Sequence, residues 1–436
     1  MGCDMLKRTH YTSELEKAIG KEVVLSGWVF DVRILGGISF ILLRDKEGVI
    51  QVTAPKEKVS KKTLEVCEKL HQEDVISVKG KVVKSKISKR GIEIIPSEIE
   101  IINKASVPLP LDPRQVTKAN LDTRLNNRFL DLRTRESWAI FRIQSRITKA
   151  FRDFLTSRGY IEIQPPCIIS SASEGGAELF SLPYFEKKAF LAQSPQLYKQ
   201  VCALAFEKVF CVMPVFRAEK FDQPTHLNEI RQMDIEQAFA DDKEVMKVLE
   251  ECFVFILKEV EKNCKRELKV LNQKIKIPKL PLKRITYSEA IELLKKNGEK
   301  IEWSDDFTKT QEKLLTSLVK KDAFFIVDWP SELKPFYAMP NEKNPKIVKA
   351  FDLIYKGLEL ASGTQRIHLP ELLIKKIKEK GLNPKDFEFY INSFKYGSAP
   401  HAGWSIGLER ITMTITGRKN IREVCMFPRD RTRISP

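Results

Sequence analysis

Arg217 and Glu219 stand two apart at the end of an apolar run in VFRAEKFDQPTHLNEIRQMDIEQAF, residues 215–239. Alternate residues of an extended chain share a face, so this guanidinium and carboxylate point the same way beside a short polar loop. A second strand-like run carries Asp234 and Glu236. A guanidinium at a strand end can grip phosphate bidentately. GLER at 407–410 offers a second one, Arg410, after Gly407 and Glu409 at a strand-to-helix turn. Together these signals suit an ATP site built on antiparallel strands. No glycine-rich phosphate loop of the GxxxxGK[ST] kind occurs in the chain, which excludes that route to ATP chemistry. Taken singly, an Arg-x-Glu pair is more often a surface salt bridge.

Phosphate transfer or adenylation needs cations aimed at the triphosphate, usually with Mg2+ held by carboxylates. FDLIYKGLELASGTQRIH, residues 351–368, carries Asp352, Glu359, Ser362 and Arg366. Asp352 and Glu359 are seven apart, a parity that puts them on opposite faces of one strand. A turn or bulge must intervene if both face a metal. In LAQSPQLYKQ, residues 191–200, a strand ends at Ser194-Pro195 and a helix begins, with Ser194 as cap and Pro195 in the first turn. Lys199 then opposes the helix dipole, which costs a little without an anionic partner.

The elements positioning these residues fall into two sets. Residues 20–103 alternate apolar and polar in short glycine-punctuated runs, with helical spacing at 59–72. Five strands and one interposed helix predict an OB-fold barrel, a platform for single-stranded nucleic acid. The proline-bearing stretch KASVPLPLDPRQVT, 104–117, reads as a hinge. We take domains at 1–103, a hinge at 104–134 and a third region at 135–436. From 137 to 159 a helix presents Ile140, Ile143, Ile147, Phe151 and Phe154 on one face. Strand-like runs follow at 189–193, 208–216, 232–239, 323–328, 350–362 and 403–407. Helices lie at 196–206, 243–262, 287–297, 370–380, 384–394 and 408–417. Strands and helices without strict alternation predict an α+β domain on an antiparallel sheet. Lysine-rich 265–345 reads as an insertion.

The net charge of +17 points to a polyanionic partner. No apolar run spans a bilayer, and the N-terminus lacks a signal-peptide stretch. Eight cysteines without a CxxC pair and five histidines read as reduced thiols of a cytoplasmic protein rather than zinc ligands or disulfides.

Several motifs together resemble class II aspartyl-tRNA synthetases of the shorter archaeal and eukaryotic branch. GYIEIQPP (159–166) resembles motif 1, FRAE through DIE (216–236) motif 2, and GLER with NIREVCMFPRD (420–430) motif 3. QSPQLYKQ, SEGGAELF and SGTQRIH also match, so the likeness covers nearly the whole chain. The resemblance implies a homodimer with Pro166 in its interface. It implies ATP held by Arg217, Glu219, Thr225, His226, Leu227, Glu359 and Gly407-Leu408-Glu409-Arg410, with Arg217, Glu219 and Arg410 catalytic. Mg2+ would lie at Glu359 and Ser362, with Asp352 assisting. L-aspartate would meet Glu174, Gln196, Lys199, Arg217, Asp234 and Arg366. Lys199 and Arg366 would clamp its side-chain carboxylate, with Asp234 orienting Lys199, and two cations against one carboxylate would reject asparagine. In the barrel, Phe40, Gln51 and Glu93 would read the anticodon of tRNA-Asp.

The chain departs from the pattern in places. Thr225 stands where relatives often have Arg, so one outer-phosphate contact is expected to be missing. Pro165 replaces a usual Thr, and Thr364 a Gly or Ala. Phe30 and Lys89 occupy positions that vary with whether tRNA-Asn is also charged. Lys89 favours the strict form, while Phe30 fits neither pattern.

Overall fold

The computed structural model describes residues 6–171, 179–220 and 223–436. Contacts divide the chain into two compact units, Met1–Asn120 and Leu121–Pro436.

In the first unit, strands β1 (Glu22–Leu35), β2 (Ile38–Arg44), β3 (Val49–Pro55), β4 (Val75–Lys84) and β5 (Ile92–Asn103) close a barrel in the order β1-β2-β3-β5-β4. Helix α1 (Lys61–Glu68) is capped by Ser60, whose side chain accepts from Thr63 N at 3.1 Å. The period-2 pattern works as expected: Ile41, Leu43, Val52, Val78 and Ile94 point inward and are fully buried. β1 slips register between Val29 and Asp31, so Phe30 sits on a bulge. The Arg44 guanidinium lies 5.7 Å from its ring centre.

The second unit opens with α2 (Leu121–Asn126), α3 (Arg128–Asp131) and α4 (Arg135–Thr156). Residues 104–134 are therefore not one hinge: 104–120 cluster with the barrel. Arg128 in α3 is buried and donates to the carbonyls of Cys425 and Met426 at 2.6 and 2.8 Å. The apolar stripe of α4 is fully inside, from Ile140 to Phe154.

Strands β6 (Ile161–Glu162), β7 (Ile168–Ile169), β8 (Ser181–Tyr184) and β9 (Lys187–Leu191) precede α5 (Gln196–Phe206), β10 (Lys208–Phe216) and β11 (Glu229–Ala238). Then come α6 (Asp242–Asn263), α7 (Lys265–Val270), β12 (Lys283–Thr286), α8 (Tyr287–Lys296), α9 (Lys309–Val319) and β13 (Ala323–Pro330). The chain ends through β14 (Ile347–Tyr355), β15 (Leu358–Gln365), α10 (Pro370–Glu379), α11 (Glu388–Lys395), β16 (His401–Gly407) and α12 (Leu408–Thr416). Eight strands form one sheet, ordered β12-β13-β14-β15-β16-β11-β10-β6. It is antiparallel except at its ends, where β6 pairs with β10 and β12 with β13 in parallel.

Two expectations are corrected here. The run 350–362 is not one strand: it turns at Lys356-Gly357, and the β14–β15 hairpin also shifts register at Leu353/Ile354. The parity problem of Asp352 and Glu359 is thereby removed. The stretch 265–345 is no separate insertion, because β12 and β13 extend the sheet. Helices α8 and α9 bury Tyr287, Leu294 and Leu315 against Phe324 and Ile326 of β13.

Candidate active site

One row of residues runs straight across the middle of the sheet. Asp234 of β11 pairs with Ser405 of β16, Ser405 with Ser362 of β15, and Ser362 with Asp352 of β14. Directly paired residues share a face, so register alone brings four polar side chains into line. A cleft of about 670 Å³ opens beside this row. Its walls include Arg217, Glu219, Thr225, His226, Leu227, Glu359, Ser362, Gly407, Glu409 and Arg410. The nucleotide residues expected from sequence therefore converge, apart from Leu408, which is buried.

Arg217 follows β10, and its loop is pinned by Asn228. The Asn228 amide donates to the carbonyls of Arg217 and Glu219 at 2.6 and 3.1 Å. Arg410, in the first turn of α12, donates to Glu359 O at 3.0 Å and Glu359 Oε2 at 3.4 Å. Burial would raise the Glu359 carboxyl, but the charges of Arg410, Lys334 and Arg217 outweigh it and hold it below its usual value. His226 is pushed down to about 4 by burial, then by Arg410, Lys309 and Arg217, so it is neutral at physiological pH. Gly407 has φ of −74°, and a Cβ there would meet only the Arg410 side chain at 3.7 Å. The protein itself does not demand glycine at that point. It does at Gly403, where a Cβ would lie 2.3 Å from Glu236 Oε2.

Asp352, Glu359 and Ser362 offer hard oxygen donors of the kind Mg2+ takes. Lys334 Nζ donates to Asp352 Oδ2 at 2.7 Å. Burial raises the Asp352 carboxyl to about 6, and the Glu359 charge adds to the effect. The buried Oδ1 of Asp352 lacks a well-aligned hydrogen-bond donor among the described residues. These residues fit a divalent cation, although they do not form a ready cluster of three acidic or imidazole ligands among the described residues. Beside them Glu312 of α9 accepts from Glu359 N at 3.0 Å and is raised to about 7 by burial and by Glu359.

Below the cleft is a buried cluster of four charges. Lys199 Nζ lies 2.8 Å from Asp234 Oδ2 and 3.6 Å from Glu236 Oε2. Arg366 donates through Nε and Nη2 to the two oxygens of Glu236 at 2.9 and 3.2 Å. All four side chains are at most 4% exposed. Asp234 and Glu236 thus neutralise the two cations, Asp234 standing against Lys199 and Glu236 against Arg366. Gln196 is buried, and its amide donates to Gln200 Oε1 at 2.8 Å. Tyr390 OH donates to that same Gln200 oxygen. His401 carries its proton on Nδ1, toward Ala399 O, so its Nε2 accepts from the Gln200 amide at 2.8 Å. Glu174 lies outside the described residues.

Sequence reasoning missed several residues here, Lys334, Asn228 and Gln200 among them. Ser405, Lys309 and Glu312 reach the site only through sheet register and the docking of α9. A capping signal, Thr308 with Gln311 three residues on, marked α9 itself. The Thr225 departure has a neighbour: Lys309 Nζ contacts Thr225 Oγ1 directly. Thr364 is accommodated by its hydroxyl, 2.8 Å from the carbonyls of Lys349 and Gln365.

On the barrel, Gln51 and Glu93 meet: Gln51 Nε2 and Thr53 Oγ1 both donate to Glu93 Oε2, at 2.9 and 2.7 Å. Phe40 pairs across the ladder with Thr53 and is half-buried. A ring and two hydrogen-bonding side chains thus share one patch, while Lys89 is exposed near the β4–β5 turn. Pro166 is exposed, between Ile161 at 48% and Ile168 at 47% exposure. No helix among the described residues is long and apolar enough to cross a membrane.

Residues 120–431 match the model of the class II tRNA synthetases (D, K and N), and residues 23–102 match an OB-fold nucleic acid binding domain. The chain is 49% identical to an aspartate–tRNA(Asp/Asn) ligase of Methanocaldococcus jannaschii, covering 99% of this chain and 98% of that protein. It is also 49% identical to an aspartate–tRNA(Asp) ligase of Pyrococcus horikoshii, covering 98% of this chain and all of that one. Among solved structures, the asparaginyl-tRNA synthetase of Pyrococcus horikoshii with asparaginyl-adenylate superposes with a TM-score of 0.94 at 32% identity, covering 99% of this chain and 100% of that one. The aspartyl-tRNA synthetase of Entamoeba histolytica gives 0.87 at 37% identity, covering 99% and 93%. The arginines of motifs 2 and 3, the central sheet and these matches lead to one conclusion: the chain belongs to the class II tRNA synthetases of the D, K and N group.

Proposed function

We propose that the chain is an aspartate–tRNA ligase. An oxygen of the aspartate α-carboxylate attacks the α-phosphorus of ATP, the bond to the β-phosphate oxygen breaks, and pyrophosphate leaves. The terminal adenosine hydroxyl of the tRNA then attacks the carbonyl of aspartyl-adenylate, its proton is lost, and AMP departs. No protein nucleophile is needed; the work is positioning and charge neutralisation. Arg217, which lines the cleft with no ion pair among the described residues, would neutralise the α-phosphate. Arg410 and neutral His226 line the rest of the cleft. Mg2+ held by Glu359 and Ser362, with Asp352 beside them, would add charge neutralisation on the phosphate oxygens.

The observation that carries the amino-acid assignment is the Lys199–Asp234–Glu236–Arg366 cluster. Since it is neutral overall, selection rests on hydrogen-bond polarity rather than net charge. Arg366 spends one proton each of Nε and Nη2 on Glu236, which leaves Nη1 and the second Nη2 proton as further donors, and the Lys199 ammonium has protons beyond the one given to Asp234. A carboxylate accepts from both. An asparagine amide would set N–H groups against N–H groups, leaving donors unpaired.

The barrel patch of Phe40, Gln51 and Glu93 is suited to stack one base and bond the edges of others. The +17 charge suits a tRNA backbone. Exposed Ile161 of the edge strand β6 and Ile168 of β7, on either side of Pro166, support pairing of two copies. A second reading, charging of tRNA-Asn as well, is favoured by relatives of both kinds at equal identity. Amino-acid-dependent ATP–pyrophosphate exchange tests the first step: exchange with asparagine but not aspartate would refute it. Charging of tRNA-Asp and tRNA-Asn transcripts separates the strict from the dual form.

A further inference from the structure

Helix α9 brings a cation to the mouth of the cleft that no part of the preceding scheme uses. Lys309 is its first residue, directly after the Thr308 cap, where a positive charge opposes the helix dipole. Its Nζ lies 2.7 Å from Gln223 Oε1, in contact with Thr225 Oγ1, and 3.4 Å from His226 Nδ1. All three partners are neutral, and two of them line the cleft. No carboxylate lies within ion-pair distance of Lys309 among the described residues. The ammonium is destabilised by burial first and then by Arg410, which together outweigh the more distant carboxylates of Glu312 and Glu219. A half-buried cation held by neutral groups, crowded by other cations at a cleft, is arranged for an anion supplied from outside.

We propose that Lys309 binds the outer phosphates of ATP and the pyrophosphate formed from them. Thr225 and Gln223 hold the ammonium in place, and Arg410 and Arg217 complete the positive wall. This rests on the adenylation reading above.

The test is ATP–pyrophosphate exchange without tRNA, on wild type, K309A, K309M and K309R. In K309A and K309M the KM for ATP and for pyrophosphate should rise about tenfold to a hundredfold. The KM for aspartate should stay unchanged, and so should inhibition by AMP, which lacks the outer phosphates. K309R should recover most of the loss. An unchanged KM for ATP in both folded variants overturns the assignment. So does an equal loss of AMP affinity, which marks a structural role, or a defect confined to the KM for tRNA. Absence of aspartate-dependent exchange in the wild type would instead refute the activity reading itself.

Discussion

Ser405 Oγ donates to Asp234 Oδ1 at 2.6 Å, while the other oxygen of Asp234 takes the Lys199 ammonium at 2.8 Å. Ser405 lines the nucleotide cleft, so a single carboxylate joins the nucleotide wall to the buried cluster proposed to hold aspartate. Ser405→Ala should leave the fold intact and weaken aspartate-dependent exchange by about tenfold, the worth of one hydrogen bond to a charged group. A KM for aspartate within twofold of wild type would argue against that link.

Removing one member of the buried cluster leaves an unpaired charge. Glu236→Gln strips Arg366 of a two-point partner and should cost about 3–5 kcal/mol of stability, measured by urea denaturation. A loss below about 1 kcal/mol, the range of surface pairs, would mean the cluster is open to water.

Arg217 is held at the cleft by its backbone, through Asn228, rather than by its own side chain. Arg217→Ala should therefore keep the melting temperature while lowering the exchange rate about 10²–10³-fold, as for loss of a transition-state charge donor. Retention of near-normal exchange would remove it from the chemistry.

The barrel patch should act on tRNA alone. Phe40→Ala is expected to raise the KM for tRNA-Asp about tenfold to a hundredfold, the worth of one stacked base, with exchange kinetics unchanged. Equal charging of an anticodon-mutated transcript by wild type would contradict this.

Glu409 gives a pH dependence. Burial raises its carboxyl from 4.5 to about 7, against the opposing hydrogen bond from Arg231 N. Because the folded value is higher, the native state holds the proton longer than the unfolded chain. Stability from this group is full below about pH 4.5 and is lost as pH rises through about 7. The loss is about 3 kcal/mol. Glu409→Gln removes the slope, so its melting temperature relative to wild type should climb between pH 5 and 8, roughly the span of that titration. A pH-independent difference would place the proton elsewhere.

Much of this was legible in the chain. Arg217, Glu219 and Arg410 declared themselves by charge beside strand ends, and the helices at 196–206, 243–262, 287–297, 370–380 and 408–417 were placed to within a residue, whereas α9 was missed. Lys199 was readable as a cation wanting an anion, because the helix dipole acts locally. What the sequence determined is what local physics controls: alternation, caps, turns and the faces of single elements. Only the tertiary structure set Asp234, Ser405, Ser362 and Asp352 in one row, since register joins residues far apart in sequence. It also neutralised Lys199 and Arg366 with Asp234 and Glu236, which no count of charges along the chain could reveal. It carried Lys309 and Glu312 to the cleft, because a helix's partners depend on the sheet it docks against. Spacing fixes which way a side chain points on its own element; packing decides what stands opposite.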